Sequence, residues 1–229
     1  MVHIYRHEGK LYPSVTTIIH AILPEPPALK RWKEKTKNAD QIRNESAAFG
    51  TLIHYRILNN LSVKDMELPT LEFDHLPHDA LQKVEICEAM WDELKLEIGY
   101  PRMVEKLVVN PEHRYAGKID LGAPIRKPGD ANEKKVFTLL DIKSSREVRE
   151  NYLYQMGGYA LAMPETPERA LIVSLHPNSN GNKYLKGHIV EMSKSKLDHY
   201  GDKFIELAEE FHKQNLTEKL LKEHKKIEK

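Results

Sequence analysis

Two short runs, each closing on an aspartate, constrain this chain more than anything else in it. Residues 113–121 read His-Arg-Tyr-Ala-Gly-Lys-Ile-Asp-Leu and alternate up to Asp120; residues 136–143 read Val-Phe-Thr-Leu-Leu-Asp-Ile-Lys and are apolar up to Asp141. Both have the pattern and length of strands, so each carboxylate is expected late on its strand. If the strands pair, the two acids meet. Lys143, two residues beyond Asp141, faces the same side. Two carboxylates with the Ile142 backbone carbonyl between them make a hard, all-oxygen site suited to one or two Mg²⁺ or Mn²⁺ ions. An adjacent ammonium then serves to orient a water or steady a phosphate under attack, which is the chemistry of phosphodiester hydrolysis.

Composition narrows the setting. A chain of 229 residues, 40% hydrophobic and 30% charged, has room for one good core with appendages. Its net charge of +1 means that any nucleic-acid surface must be local. Cys87 is the one cysteine, which excludes intrachain disulfides and any zinc or iron–sulfur site needing several thiolates from this chain. A reducing, intracellular compartment is the expectation. Since no apolar run nears the roughly 18 residues of a membrane span, and the start lacks a signal peptide's apolar core, a soluble protein with no membrane partner is expected.

Along the chain, residues 3–6 and 10–12 flank Glu8-Gly9 as a hairpin, and Ser14 or Thr16 caps a helix over 17–23 that Pro24, Pro26 and Pro27 stop. A second helix over 28–38 sets Lys30, Arg31, Lys33, Lys35 and Lys37 around Trp32. It is read either as a solvated helix with one buried Trp or as a basic wall for a phosphate backbone, with Trp32 beneath it or stacked on a base. A third, over 39–59, places Gly50 and His54 on one face. Residues 60–78 are loop-like. Leu81, Val84, Cys87, Trp91, Leu94 and Ile98 then recur at three and four, giving an amphipathic helix over 79–98 that Gly99 ends. Residues 103–109 form a strand in which Glu105 either faces solvent or joins Lys118 and Asp120 across a hairpin. Residues 123–135 make a long basic loop. A helix over 149–163 sets Gln155 and Tyr159 one turn apart, with Gly157 and Gly158 suggesting close approach to a strand or DNA backbone. Residues 170–176 and 184–192 are strands around an Asn178-Ser-Asn-Gly turn, Ser193 caps a last helix, and the segment from Thr217 is charged and expected to fray.

Taken together, Gly50-x-x-x-His54, Val104-Glu105, Gly117-x-x-Asp120, Asp141-x-Lys143 and Gln155-x-x-x-Tyr159 stand in an order that resembles the PD-(D/E)XK nucleases. Within them the likeness is to the RecB-type exonuclease domains, in the branch of the mitochondrial genome-maintenance exonuclease and its phage relatives. It covers roughly residues 11–192, including Pro13-Ser-Val-Thr-Thr-Ile upstream, and departs from the family name at its first half, which is Ile119-Asp120 here.

The resemblance implies an α/β (α+β) restriction-endonuclease-like core, a mixed central sheet with flanking helices in the order αβββαβ, behind a helical N-terminal region. One nuclease domain would span residues 1–229: 1–78 contributing His54, 79–213 the core and C-terminal helix, and 214–229 a charged tail. It implies a Mg²⁺- or Mn²⁺-dependent DNA exonuclease acting on single strands with a free end. The alternatives are a site-specific or repair endonuclease of the same fold, or a non-catalytic nucleic-acid-binding protein. Metal ligands would be His54, Asp120, Asp141 and the Ile142 carbonyl; Lys143 would position the nucleophile, with Glu105 and Gln155 assisting. Ser144, Ser145, Arg146, Tyr159, Lys30, Arg31, Trp32 and Lys33 are the expected DNA contacts. His20 and the remaining histidines have no such context and stand outside the site. A cytoplasmic home, bacterial or in a phage-infected host, is expected over a mitochondrial one.

Overall fold

The computed structural model describes residues 3–62, 76, 78–129, 134–177 and 187–220. The chain opens on a hairpin, β1 (Ile4–His7) and β2 (Lys10–Pro13), turned by Glu8 and Gly9 at φ 48° and 75°. Helices α1 (Val15–Ile22), α2 (Pro27–Lys35) and α3 (Ala39–Asn59) follow. Ser14 caps α1, its hydroxyl taking the Thr17 N–H at 3.0 Å. After α4 (Ala80–Glu93) come β3 (Glu97–Ile98), β4 (Met103–Asn110), β5 (Tyr115–Arg126) and β6 (Val136–Lys143). Then come α5 (Glu150–Ala162), β7 (Arg169–Ser174), β8 (His188–Ser193) and α6 (Lys194–Lys213), the last capped by Ser193.

The large sheet is mixed. β3 and β4 both pair antiparallel with β5, β5 with β6, and β7 with β8, whereas β6 and β7, joined through α5, run parallel. Each face is covered by helices. α1, α5 and α6 close one layer around Ile18, Tyr115, Ile119, Met156 and Phe204; α3 and α4 close the other around Ile53, Cys87, Leu121, Leu140 and Val173. Among the described residues no helix is long and apolar enough to cross a membrane.

Several sequence expectations shift. The helix foreseen over 79–98 stops at Glu93, and Lys95, at φ 48°, turns the chain into β3. Leu94, Leu96 and Ile98 all pack on the α3/α4 layer with a period of two, a signal that the three-and-four spacing masked. The loop foreseen over 123–135 is strand up to Arg126, since Ala123 and Ile125 are buried in alternation and Pro124, which has no N–H to give, accepts the Gly99 N–H at 2.7 Å. Asp120 accordingly lies in the middle of a strand. The turn at Asn178 and the charged end beyond residue 220 lie outside the described residues. Trp32 is 37% exposed on α2, a helix with no buried residue, so the reading with a buried Trp does not hold.

The close approach expected of Gly157 and Gly158 is made to a helix. A Cβ on Gly157 would lie 2.4 Å from backbone atoms of Tyr200 and Gly201 on α6, and one on Gly158 would lie 2.8 Å from the Phe204 ring. Gly157 lets α5 and α6 meet backbone to backbone, and Gly158 makes room for the Phe204 ring.

Candidate metal centre

Alternation along β5 changes phase at Asp120. Tyr115 and Ile119 face the α1/α5/α6 layer, yet Leu121, Ala123 and Ile125, also odd-numbered, face α3 and α4. β4 changes phase opposite it, with Met103 and Val108 in the first layer and Glu105 between them at φ 47°. The ladder pairs Val104 with Leu121 and Lys106 with Ile119 but skips Glu105 and Asp120. A left-handed glutamate costs about 1 kcal/mol or more and is held here by the surrounding pairing. On the other edge, the β5–β6 ladder ends at Leu121 and Leu140, so the next step on each strand is Asp120 and Asp141. Both acids thus stand where the strands part.

Asp120 fills the gap. Its Oδ2 accepts the Ile142 N–H at 2.7 Å, and its Oδ1 lies 3.4 Å from Nδ1 of His54. α3 brings that histidine from the opposite layer, and its Nε2 donates to the Ile142 carbonyl at 2.8 Å. Glu105 Oε1 is 4.0 Å from the same Nδ1, and Glu105 also ion-pairs with Lys118. Asp141, continuing the face of Phe137 and Leu139, is 2.7 Å from Nζ of Lys143. Gln155 on α5 joins the pair: its Nε2 donates to Asp141 at 3.3 Å and to the Tyr159 hydroxyl at 2.9 Å, while its Oε1 accepts from Lys143 at 3.0 Å.

Three acids face three bases, and their affinities for protons follow. Burial alone would lower the His54 pKa, but Asp120 beside it overrides this and lifts it to about 9. Burial works to raise Asp120, and the charge and hydrogen bond of His54 outweigh it, holding the carboxyl below its ordinary range. At Asp141 burial dominates and drives the carboxyl up to about 6, against the pull of Lys143. Burial would lower Lys143 too, but Asp141 and then Asp120 hold its ammonium above the usual value. With His54 protonated the six groups Glu105, Asp120, Asp141, His54, Lys118 and Lys143 balance.

The residues fit a divalent cation. One ligand atom each from His54, Glu105 and Asp120 lie within 4.8 Å of one another, a mixed nitrogen–oxygen set that could hold a divalent metal ion once His54 gives up its proton. Asp141 is not a member of that group. Its Oδ2, however, is buried without a hydrogen bond, because the Lys143 ammonium approaches it outside hydrogen-bonding angles. That oxygen is held by the ion pair alone, so it still has lone pairs to offer a cation.

The other foreseen residues are placed as follows. Ile142 is within hydrogen-bond reach of His54, so its carbonyl is engaged by the imidazole. Ser144 and Ser145 are half-buried and Arg146 exposed where the chain leaves β6. Tyr159, foreseen as a DNA contact, is 6% exposed beneath the site, where its ring lies on Gly117 and its hydroxyl holds Gln155; burial leaves it no face for DNA. Lys30, Arg31, Trp32 and Lys33 are exposed on α2, and Lys33 is ion-paired with Glu25. Two residues escaped sequence reasoning. Lys118, two before Asp120, was visible as a neighbour of Glu105 but had no role; Tyr152, whose ring lies 4.9 Å from Nζ of Lys143, is one turn before Gln155 on the same helix. Compared with protein-family models and with curated proteins, the chain matches none.

Proposed function

We propose that this chain is a Mg²⁺- or Mn²⁺-dependent deoxyribonuclease of the PD-(D/E)XK type, RecB-like, that shortens single-stranded DNA from a free end. The observation that carries the reading is the convergence of His54, Glu105 and Asp120, with ligand atoms within 4.8 Å, one strand step from the Asp141–Lys143 pair. The finer fold reading is supported by element order, since, the two-residue β3 apart, α4, the antiparallel β4–β5–β6, α5 and a parallel β7 follow αβββαβ.

His54, Glu105 and Asp120 would hold the cation, with Asp141 adjoining. A bound divalent ion lowers the pKa of a coordinated water and offsets the phosphate's charge. The chain supplies the rest. Lys143, oriented by Asp141 and Gln155, directs its ammonium to the attacking water and the phosphate oxygens. Ser144, Ser145 and Arg146 border the phosphate, and the exposed cations of α2, with Trp32 among them, offer a wall to the strand's backbone and bases.

The test is digestion of end-labelled single-stranded DNA with Mg²⁺ or Mn²⁺, and with EDTA as control. Metal-dependent shortening is expected from the native chain and none from Asp141→Asn or Lys143→Ala, with folding and DNA binding largely kept. Comparable turnover by either variant overturns the site assignment.

A further inference from the structure

Past Lys143 the chain leaves β6 through Ser144, Ser145 and Arg146, and the end of β7 grips three successive carbonyls there. The Leu175 N–H donates to Lys143 O at 2.7 Å, Nδ1 of His176 donates to Ser144 O at 3.0 Å, and the Ser174 hydroxyl donates to Ser145 O. In a trans peptide the N–H points opposite to the C=O, and no peptide here is cis. The N–H groups of Ser145 and Arg146 therefore face away from β7, where no described residue accepts from them. The Ser144 hydroxyl is likewise without a partner among the described residues; it lies 3.2 Å from where a Cβ on residue 50 would sit, so Gly50 is what leaves room beside it.

Two amides and a hydroxyl in one turn, flanked in the chain by Lys143 and the exposed Arg146, make a donor set for an anion's oxygens. We propose that His176 is the positioning residue of this phosphate-binding turn, which takes oxygens of the DNA backbone next to the scissile phosphodiester. The inference rests on the nuclease reading. Ser174 is a buried strand residue, but His176 is half-buried beyond the strand end, so its hydrogen bond serves the turn and not the sheet.

The variants separate donor from bulk. In His176→Asn the amide nitrogen takes the place of Nδ1, whereas His176→Phe keeps the ring and has no donor. With His176→Phe, KM for single-stranded DNA should rise about fivefold, the worth of one hydrogen bond, with little change in kcat or melting temperature. His176→Asn should recover most of the loss. Unchanged KM in His176→Phe, or an equal rise in His176→Asn, overturns the proposal. In parallel, a single-stranded oligonucleotide with Ca²⁺ should shift the NMR amide signals of Ser145 and Arg146. If the native chain cleaves nothing with either metal, the nuclease reading falls, and these amide signals decide the turn separately: their staying in place overturns it.

Discussion

A single methyl group at residue 117 should reach the chemistry without touching it. A Cβ there would lie 2.3 Å from Cε1 and 2.8 Å from Cδ1 of Tyr159. Carbon atoms need about 3.5 Å, so in Gly117→Ala the ring must move by about 1 Å or β5 must bow away. The Tyr159 hydroxyl holds Gln155, which in turn holds Asp141 and Lys143, so the displacement travels to the reacting pair in two steps. Overpacking of this kind costs about 1–3 kcal/mol. For a chain of this size that is several degrees of melting temperature, at about 2–4 °C per kcal/mol. Misplacing a positioned group by about 1 Å lowers kcat on the order of a hundredfold. Tyr159→Phe, which keeps the ring and loses only the hydroxyl, is the milder companion at about fivefold. Turnover of end-labelled single-stranded DNA, read beside thermal unfolding by circular dichroism, tests this. A Gly117→Ala protein that is destabilised yet retains native kcat would show that Tyr159 does not position Gln155 for the reaction.

Three further outcomes are expected. His54→Ala should weaken Mn²⁺ binding more than it weakens DNA binding; unchanged affinity in a calorimetric titration returns His54 to a packing role. In EDTA, stability should fall with rising pH in two windows. Asp141, raised from 3.8 to about 6, favours the fold only while protonated, and its contribution goes as pH climbs between those values. His54, raised from 6.5 to about 9, contributes fully below pH 6.5 and loses that contribution towards pH 9. At about 1.4 kcal/mol per pH unit the His54 share is at most about 3.5 kcal/mol, so His54→Ala should flatten the upper window of a melting-temperature profile. Finally, linear single-stranded DNA should be degraded while a covalently closed single-stranded circle survives, because α3 closes over the strand acids and the basic α2 precedes it; efficient cutting of the circle would favour the endonuclease alternative.

What could be read from the sequence was what local pattern governs. Asp141 and Lys143 fall on one face because β6 keeps strict alternation, and the caps Ser14 and Ser193 and the whole of α3 follow from short-range signals. The rest needed partners distant in sequence. Asp120 looked like a strand end because nothing local reveals that β4 and β5 change phase together. Gly157 announced a close approach without saying to what, since Gly201 is on another helix, and Tyr159 announced an aromatic without saying that Gly117 makes a seat for it. His176 gave no signal at all, because its meaning lies in a carbonyl 32 residues away.

The change of phase at Glu105 and Asp120 also bears on how the molecule comes apart. Each layer has its own apolar interior, and an ordinary sheet would let the α3/α4 side peel off while the α5/α6 side stayed shut. Here His54 reaches through from the first, Gln155 reaches in from the second, and both fasten on groups at the parting of β5 and β6. The polar cluster is therefore a rivet through the sheet: neither layer can open without breaking polar contacts to the strands that the other also grips, and tightening the cluster makes unfolding of the two sides one event.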